Sequence, residues 1–378
     1  MKTIGSVLDS YKGIGPGFDF LRVALAITVI LNHSFLTVEG NYDAFDRYGI
    51  WPVMGAPVPM FFVLSGFLVL GSALRLKIKD FILNRAFRII PALSVDIFLS
   101  ALVIGPLVTT VSLHDYVTGK QFLHYFLNII GFIHYELPGV FLSNPFPGQV
   151  NGSMWTVPLE MGSYTIMSCL ILTGAVKSKS RLVKAVIAFM CMVYGLHVYY
   201  SSHVSPFEAD TEINHYITNF VSELGGTLYC YFLAGSLLYA FRYQVPYSGK
   251  LALLAVVLYV VGFFVLGKDR LVVLALPVSY MVAYIGLTPI KKLPLYSKGD
   301  YSYGMYLYGY PLQQALVMLF PGRFSVITHF ICSMVLITCV ARVSWHCVEK
   351  PILRSRKKVS FTARKGDNTL TLPENENV

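Results

Sequence analysis

Ten apolar stretches recur along this chain, separated by polar segments that carry most of its charge. They fall at 18–36, 57–74, 89–108, 154–174, 182–200, 217–241, 251–267, 271–287, 302–320 and 324–347. Each is close to the roughly 20 residues a helix needs to cross about 30 Å of hydrocarbon. Inside a bilayer every backbone N–H and C=O must be bonded internally, so runs of this kind fold as helices. The pattern predicts an all-α, polytopic membrane helix bundle of about ten transmembrane helices. The first run carries Asp19 and Arg22 and lacks a small-residue cleavage site, so it reads as a retained helix rather than a signal peptide. The stretch 121–136 (QFLHYFLNIIGFIHYE) is shorter and contains His124 and His134. It reads as a re-entrant or interfacial helix within a long loop, 109–153.

Charge fixes the expected sidedness. With ten spans and a cytoplasmic N-terminus, 23 of the 30 Lys and Arg residues lie inside. These include Arg75, Lys77, Lys79, Arg85 and Arg88, the group Lys177 to Lys184, Lys291, Lys292 and Lys298, and the tail. Counting 121–136 as a crossing would put the 177–184 cluster outside. Of the 378 residues, 55% are hydrophobic and 13% charged; a soluble domain has about 25% charged. No room is left for a sizeable soluble domain. Two regions follow: a membrane domain over 1–349, and a cytoplasmic tail over 350–378 that starts basic, runs along anionic headgroups and ends polar and partly disordered. The net charge of +10 sits in these orienting clusters, so it does not indicate nucleic acid. Six cysteines without a C-x-x-C pair argue against a disulfide framework or a zinc site.

Charged groups at bilayer depth cost at least about 2.5–3.5 kcal/mol each, so each needs a reason. Asp19, Arg22 and His33 share one face of the first helix, spread over about 20 Å of rise. Asp19 with Arg22 serves equally as an interfacial anchor pair, and His33 as a hydrogen-bonded packing residue. Glu160 lies in the fourth span with Tyr164 one turn on and Trp155 at its outer end. His33 and Glu160 are expected at similar depth, and a His with a carboxylate near water is equipped to take a proton from a hydroxyl; a structural buried pair is the plainer alternative. Arg85 and Arg88, three residues apart in the 75–91 loop, would project together as two free guanidiniums that suit phosphate, although positive-inside charge alone also accounts for them. Ser65-Gly66 and Gly225, Gly226 and Gly235 mark close backbone approach. Tyr301, Tyr303, Tyr306, Tyr308 and Tyr310 precede Pro311 as an aromatic belt first and a substrate or channel surface second.

These ordered motifs resemble the acyltransferase-3 family of integral membrane carbohydrate O-acyltransferases. Asp19-Phe20-Leu21-Arg22 followed by His33 is similar to its Arg-to-His signature, FFVLSGFLV at 61–69 to its second-span signature, and Arg85-x-x-Arg88-Ile89-x-Pro91 to its double-arginine motif. Trp155, Glu160 and Tyr164 resemble its Trp–Glu–Tyr span, SYGMYLYGYP at 302–311 its tyrosine-rich segment, and VEKP at 348–351 its closing segment. One position departs: many members have a His two residues before that Pro, where this chain has Gly309. The resemblance implies a bacterial cytoplasmic (inner) membrane enzyme with both termini cytoplasmic. It implies a cytoplasmic acyl-CoA donor, most often acetyl-CoA, no permanently bound cofactor and an exported carbohydrate acceptor. Under that reading Arg85 and Arg88 hold donor phosphates and Arg22 guides the donor arm. His33 is the general base oriented by Glu160, Asp19 supports Arg22 or His33, and Trp155, Tyr164 and Tyr306 line the acceptor site or channel. An acyl-enzyme route through Ser65 is the less supported variant. A transporter or flippase of a glycan or small anion is the competing reading; it would consume no acyl donor and make little use of Arg85 and Arg88.

Overall fold

The computed structural model describes residues 2–203, 223–266, 273–291, 296 and 299–359. Among them the chain is all-α, with no β-strand. The principal helices are α1 (Phe18–Glu39), α2 (Pro57–Ala73), α3 (Ile78–Leu99), α4 (Val157–Leu172), α5 (Lys179–His203), α6 (Glu223–Ala240), α7 (Gly249–Leu266), α8 (Ala275–Leu287), α9 (Ser302–Leu319) and α10 (Val326–Ser344). Each apolar window falls on one of them. By length and composition, five stretches among the described residues are long and apolar enough to cross a membrane: Phe18–Glu39, Trp51–Ala73, Ile78–Val108, Gly249–Leu266 and Val326–Ser355. Residues 217–222 of the sixth window, 267 of the seventh, 271–272 of the eighth and the tail beyond 359 lie outside the described residues.

Local sequence explains the breaks. α1 stops at Gly40, whose left-handed φ of 77° lets its N–H reach the Leu36 carbonyl. α2 opens with Pro57 in the first turn, where no N–H is required. α7 is apolar on every side and its membrane-length window is only 17% buried, as expected of a helix whose surroundings are lipid.

The structure corrects the reading of 75–91 as a loop. Residues 78–99 are helical, and a π-turn over Ser100–Ile104 carries the same rod on to Val108. A rod of 31 residues is about 46 Å long, well over the hydrocarbon thickness. Its basic first turns fall outside an apolar window yet belong to the same helix. The 121–136 stretch forms a helix over Lys120–Tyr125 and a 3-10 turn that ends at Gly131. Buried Asn128 closes that turn, donating to the Tyr125 and His134 carbonyls and accepting from the His134 N–H. Past α10, a second π-turn leads into a helix over Lys350–Val359, so the first ten residues of the tail are folded against α3.

The closest packing joins α2 to α6. A Cβ on Gly66 would meet the Phe232 carbonyl, and one on Gly235 the Val63 carbonyl. Ser236 Oγ donates to the carbonyl of Gly66 at 3.1 Å across the same seam. α9 packs on α1 and α10, and α8 joins the α2–α6 pair to α7. A side chain at the seam meets backbone, which cannot rotate away. Gly235→Leu is expected to cost at least the roughly 1–3 kcal/mol of overpacking and to lower both the yield and the melting temperature of detergent-purified protein. Gly195→Ala, on α5 with open space around it, is expected to leave both unchanged.

Candidate active site

A cavity of about 140 Å³ lies among α1, α2, α3, α4 and α9. Along the helices, Arg22, Arg85, Arg88, Ser302 and Tyr303 lie toward one end with Leu68 and Val69; Ser65, Glu160 and Tyr164 lie in the middle; and Val58, Phe61, Thr156 and Tyr306 lie toward the other end. Helix direction produces this order. α3 presents Arg85 and Arg88 one turn apart, α4 enters from the opposite side so that Thr156, Glu160 and Tyr164 descend toward them, and α9 rises from Ser302 to Tyr306.

Asp300, just ahead of α9, organises the cationic end. It takes Arg88 at 2.7 Å and Arg22 at 3.9 Å, and accepts a hydrogen bond from Ser302 Oγ at 2.7 Å. Burial opposes its ionisation, but Arg88 and then Arg22 hold its carboxyl well below the usual carboxylate range. Its contribution is therefore present above the ordinary carboxylate pKa and is lost only as pH falls through the depressed one. Arg22 is also bonded to Asp19 at 3.1 Å, the neighbour that helical spacing indicated.

The expectation of two free guanidiniums is corrected: Arg88 is paired, and Arg85 is the cation without an ion pair among the described cavity residues. The Arg85 guanidinium lies 5.5 Å from the Tyr164 ring and 5.8 Å from the Phe81 ring, with its Nε buried and unbonded.

Glu160 is the fourth residue of α4, where unbonded helix N–H groups favour negative charge. It accepts the Tyr164 hydroxyl at 2.6 Å. No hydrogen bond links it to His33, so the pairing expected from depth alone is not formed. Similar depth on two helices does not fix which faces meet. His33 instead lies outside the cavity lining, edge-on to Tyr310 with ring centroids 5.0 Å apart. Its Nδ1 is buried and has no partner. Tyr310 in turn donates to Gln149 at 3.0 Å. Trp155, half-buried in the 3-10 turn before α4, also stands outside the lining. Of the residues picked from sequence, the structure gathers Arg22, Arg85, Arg88, Glu160, Tyr164 and Tyr306 around one cavity. Asp19 joins them through Arg22, and His33 and Trp155 are held apart. Asp300 was not among them; its signal is an acidic residue two places before the helix-opening Ser302.

An apolar helix bundle enclosing arginines, a carboxylate and tyrosines defines a multi-pass membrane protein with a polar cavity among its helices. The acyltransferase-3 family model, described as an acyltransferase domain, matches residues 16–346. The chain belongs to this family and is an acyltransferase. It is 26% identical over 355 residues to an O-acetyl transferase of Shigella phage Sf6, covering 91% of this chain and 98% of that one. It is 27% identical to Nodulation protein 10 of Rhizobium leguminosarum bv. viciae, covering 96% and 99%. To the putative peptidoglycan O-acetyltransferase YrhL of Bacillus subtilis (strain 168) it is 24% identical, over 92% of this chain and 56% of that protein. No solved structure matches.

Asp300→Asn leaves Arg88 without its counter-charge in a partly buried site. It is expected to cost about 1–3 kcal/mol and to lower the melting temperature in detergent, while Asp300→Glu recovers most of the loss.

Proposed function

We propose that this chain is an O-acyltransferase that moves a short acyl group, acetyl in the first instance, from cytoplasmic acyl-CoA to a hydroxyl of an exported carbohydrate. The observation that carries the reading is the charge distribution of the cavity, with its arginines toward one end and uncharged side chains toward the other, matching a phosphorylated carrier joined to an acyl thioester. In this reading the chain crosses the bacterial inner membrane about ten times with both termini cytoplasmic, so Arg85 and Arg88 face the donor pool. Lysines and arginines concentrated on that side support it, and so do two relatives named as O-acetyltransferases.

Arg85 engages a donor phosphate, with charge-assisted hydrogen bonds that a guanidinium forms well. Arg22 and Arg88, set by Asp300, line the path of the carrier arm. Glu160 fixes the Tyr164 hydroxyl, and that pair orients the thioester. His33 acts as general base on the acceptor: as the sugar oxygen forms a bond to the acyl carbon and the C–S bond breaks, its imidazole takes the hydroxyl proton and the CoA thiolate is then protonated. The buried, unbonded Nδ1 supports this role, and Gly309 in place of a second histidine puts the burden on His33. Positioned proton transfer contributes about 10²–10⁴-fold.

The test measures label transferred from acyl-CoA into envelope glycan by membranes with matched protein levels. His33→Ala is expected to lower transfer by about 10²-fold or more; equal transfer would remove His33 as the base. No label from the wild type, across a panel of glycans and donors, would reject the assignment of acyl-CoA as donor and exported carbohydrate as acceptor.

A further inference from the structure

We infer that Tyr306, with Phe61 and Thr156, forms the end wall of the donor cavity and limits the length of the acyl group accepted. The inference rests on the reading that acyl-CoA enters from the arginine end. The lining stops at one layer. On α9 it includes Ser302, Tyr303 and Tyr306 but not Tyr310, one turn further; in the turn before α4 it includes Thr156 but not Ser153 or Met154; on α2 it includes Phe61 and ends one turn further at Val58.

Hydrogen bonds hold Tyr306 in place. The Tyr306 hydroxyl lies 2.8 Å from Thr156 Oγ1 and donates to the Ser153 carbonyl at 3.2 Å. The Phe61 ring meets the Tyr306 ring nearly edge-on, with centroids 6.0 Å apart. Ser153 and Thr156 belong to the 3-10 turn that opens α4, and Asn151 Oδ1 caps that turn by accepting the Ser153 N–H. Asn151 is itself bonded to Asp96 at 2.8 Å and to the Leu307 carbonyl at 2.9 Å. The tyrosine is therefore pinned to a turn that is anchored on α3 and on the next residue of α9.

A carrier whose phosphates rest near Arg85 points its thioester away from the cations, toward Ser65, Glu160 and the uncharged end. The acyl tail extends furthest and meets Phe61 and Tyr306. A short chain stops before the wall, and each added methylene must displace a ring that is anchored through its hydroxyl. A hydrophobic pocket rejects one methylene too many by about 10–200-fold.

The test sets acetyl-, propionyl-, butyryl- and hexanoyl-CoA in pairwise competition, differently labelled, in membranes carrying wild type, Tyr306→Ala, Phe61→Ala or Tyr306→Phe. Competition ratios do not depend on how much protein folds, so a poorly assembled variant still gives a reading, and Phe61→Ala stands in if Tyr306→Ala yields no protein. The wild type is expected to favour acetyl over hexanoyl strongly. Tyr306→Ala and Phe61→Ala are expected to raise the hexanoyl-to-acetyl ratio at least tenfold, whereas Tyr306→Phe, which keeps the ring, stays within about twofold of wild type. A wild type that takes hexanoyl as readily as acetyl, or ratios unchanged in both alanine variants, overturns the wall while leaving donor use intact. No transfer from any acyl-CoA by the wild type overturns the donor reading and the wall with it.

Discussion

A cation carried into a bilayer must be answered by a negative charge or hydration, and Asp300 gives that answer for two helices at once. Arg22 on α1 and Arg88 on α3 meet on its carboxylate. Either arginine alone at this depth would cost several kcal/mol. Joined through one carboxylate, they become a fixed corner between helices otherwise held by apolar contact. Arg85, one turn before Arg88, has no such partner, and the imbalance gives the cavity its positive end.

Two other devices make the space around that corner. The α2–α6 seam, with backbone against backbone at Gly66 and Gly235, brings α2 in close so that Ser65 and Phe61 reach the cavity. Glu160 and Tyr164 then stand between the cations and the uncharged end, bonded to each other within α4. That pair lies within one helix, whereas Asp300 and Asn151 join polar groups of different helices.

The helices themselves were legible in the sequence, since hydrophobic windows report a property of each segment alone. Helical spacing also found contacts within one helix: Asp19 with Arg22, and Glu160 with Tyr164, are bonded as three- and four-residue separations require. Spacing failed wherever the partner lay on another helix. His33 and Glu160 were matched by depth, but depth leaves azimuth free, and His33 turned to Tyr310. Asp300 lies 212 residues from Arg88, and nothing in a single sequence measures that distance in space. The misread stretch 75–91 has a different cause: a hydropathy window records average polarity, so a helix that puts basic residues on its cavity side looks like a loop.

α9 touches both ends of the molecule. Its start is tied to the arginines through Asp300 and Ser302, and near its far end Gln314 donates to the carbonyls of Phe146 and Gln149 while Asn144 reaches back to Gln314. A helix pinned at both ends behaves as a beam, its own hydrogen bonds resisting bending except at Pro311, which has no N–H to give. A ligand at the arginine end that prefers one seating of this beam changes the energy of the 144–149 loop, and a ligand under that loop changes affinity at the arginines by the same factor. Thermodynamic reciprocity between the two ends of α9 is thus available to this fold.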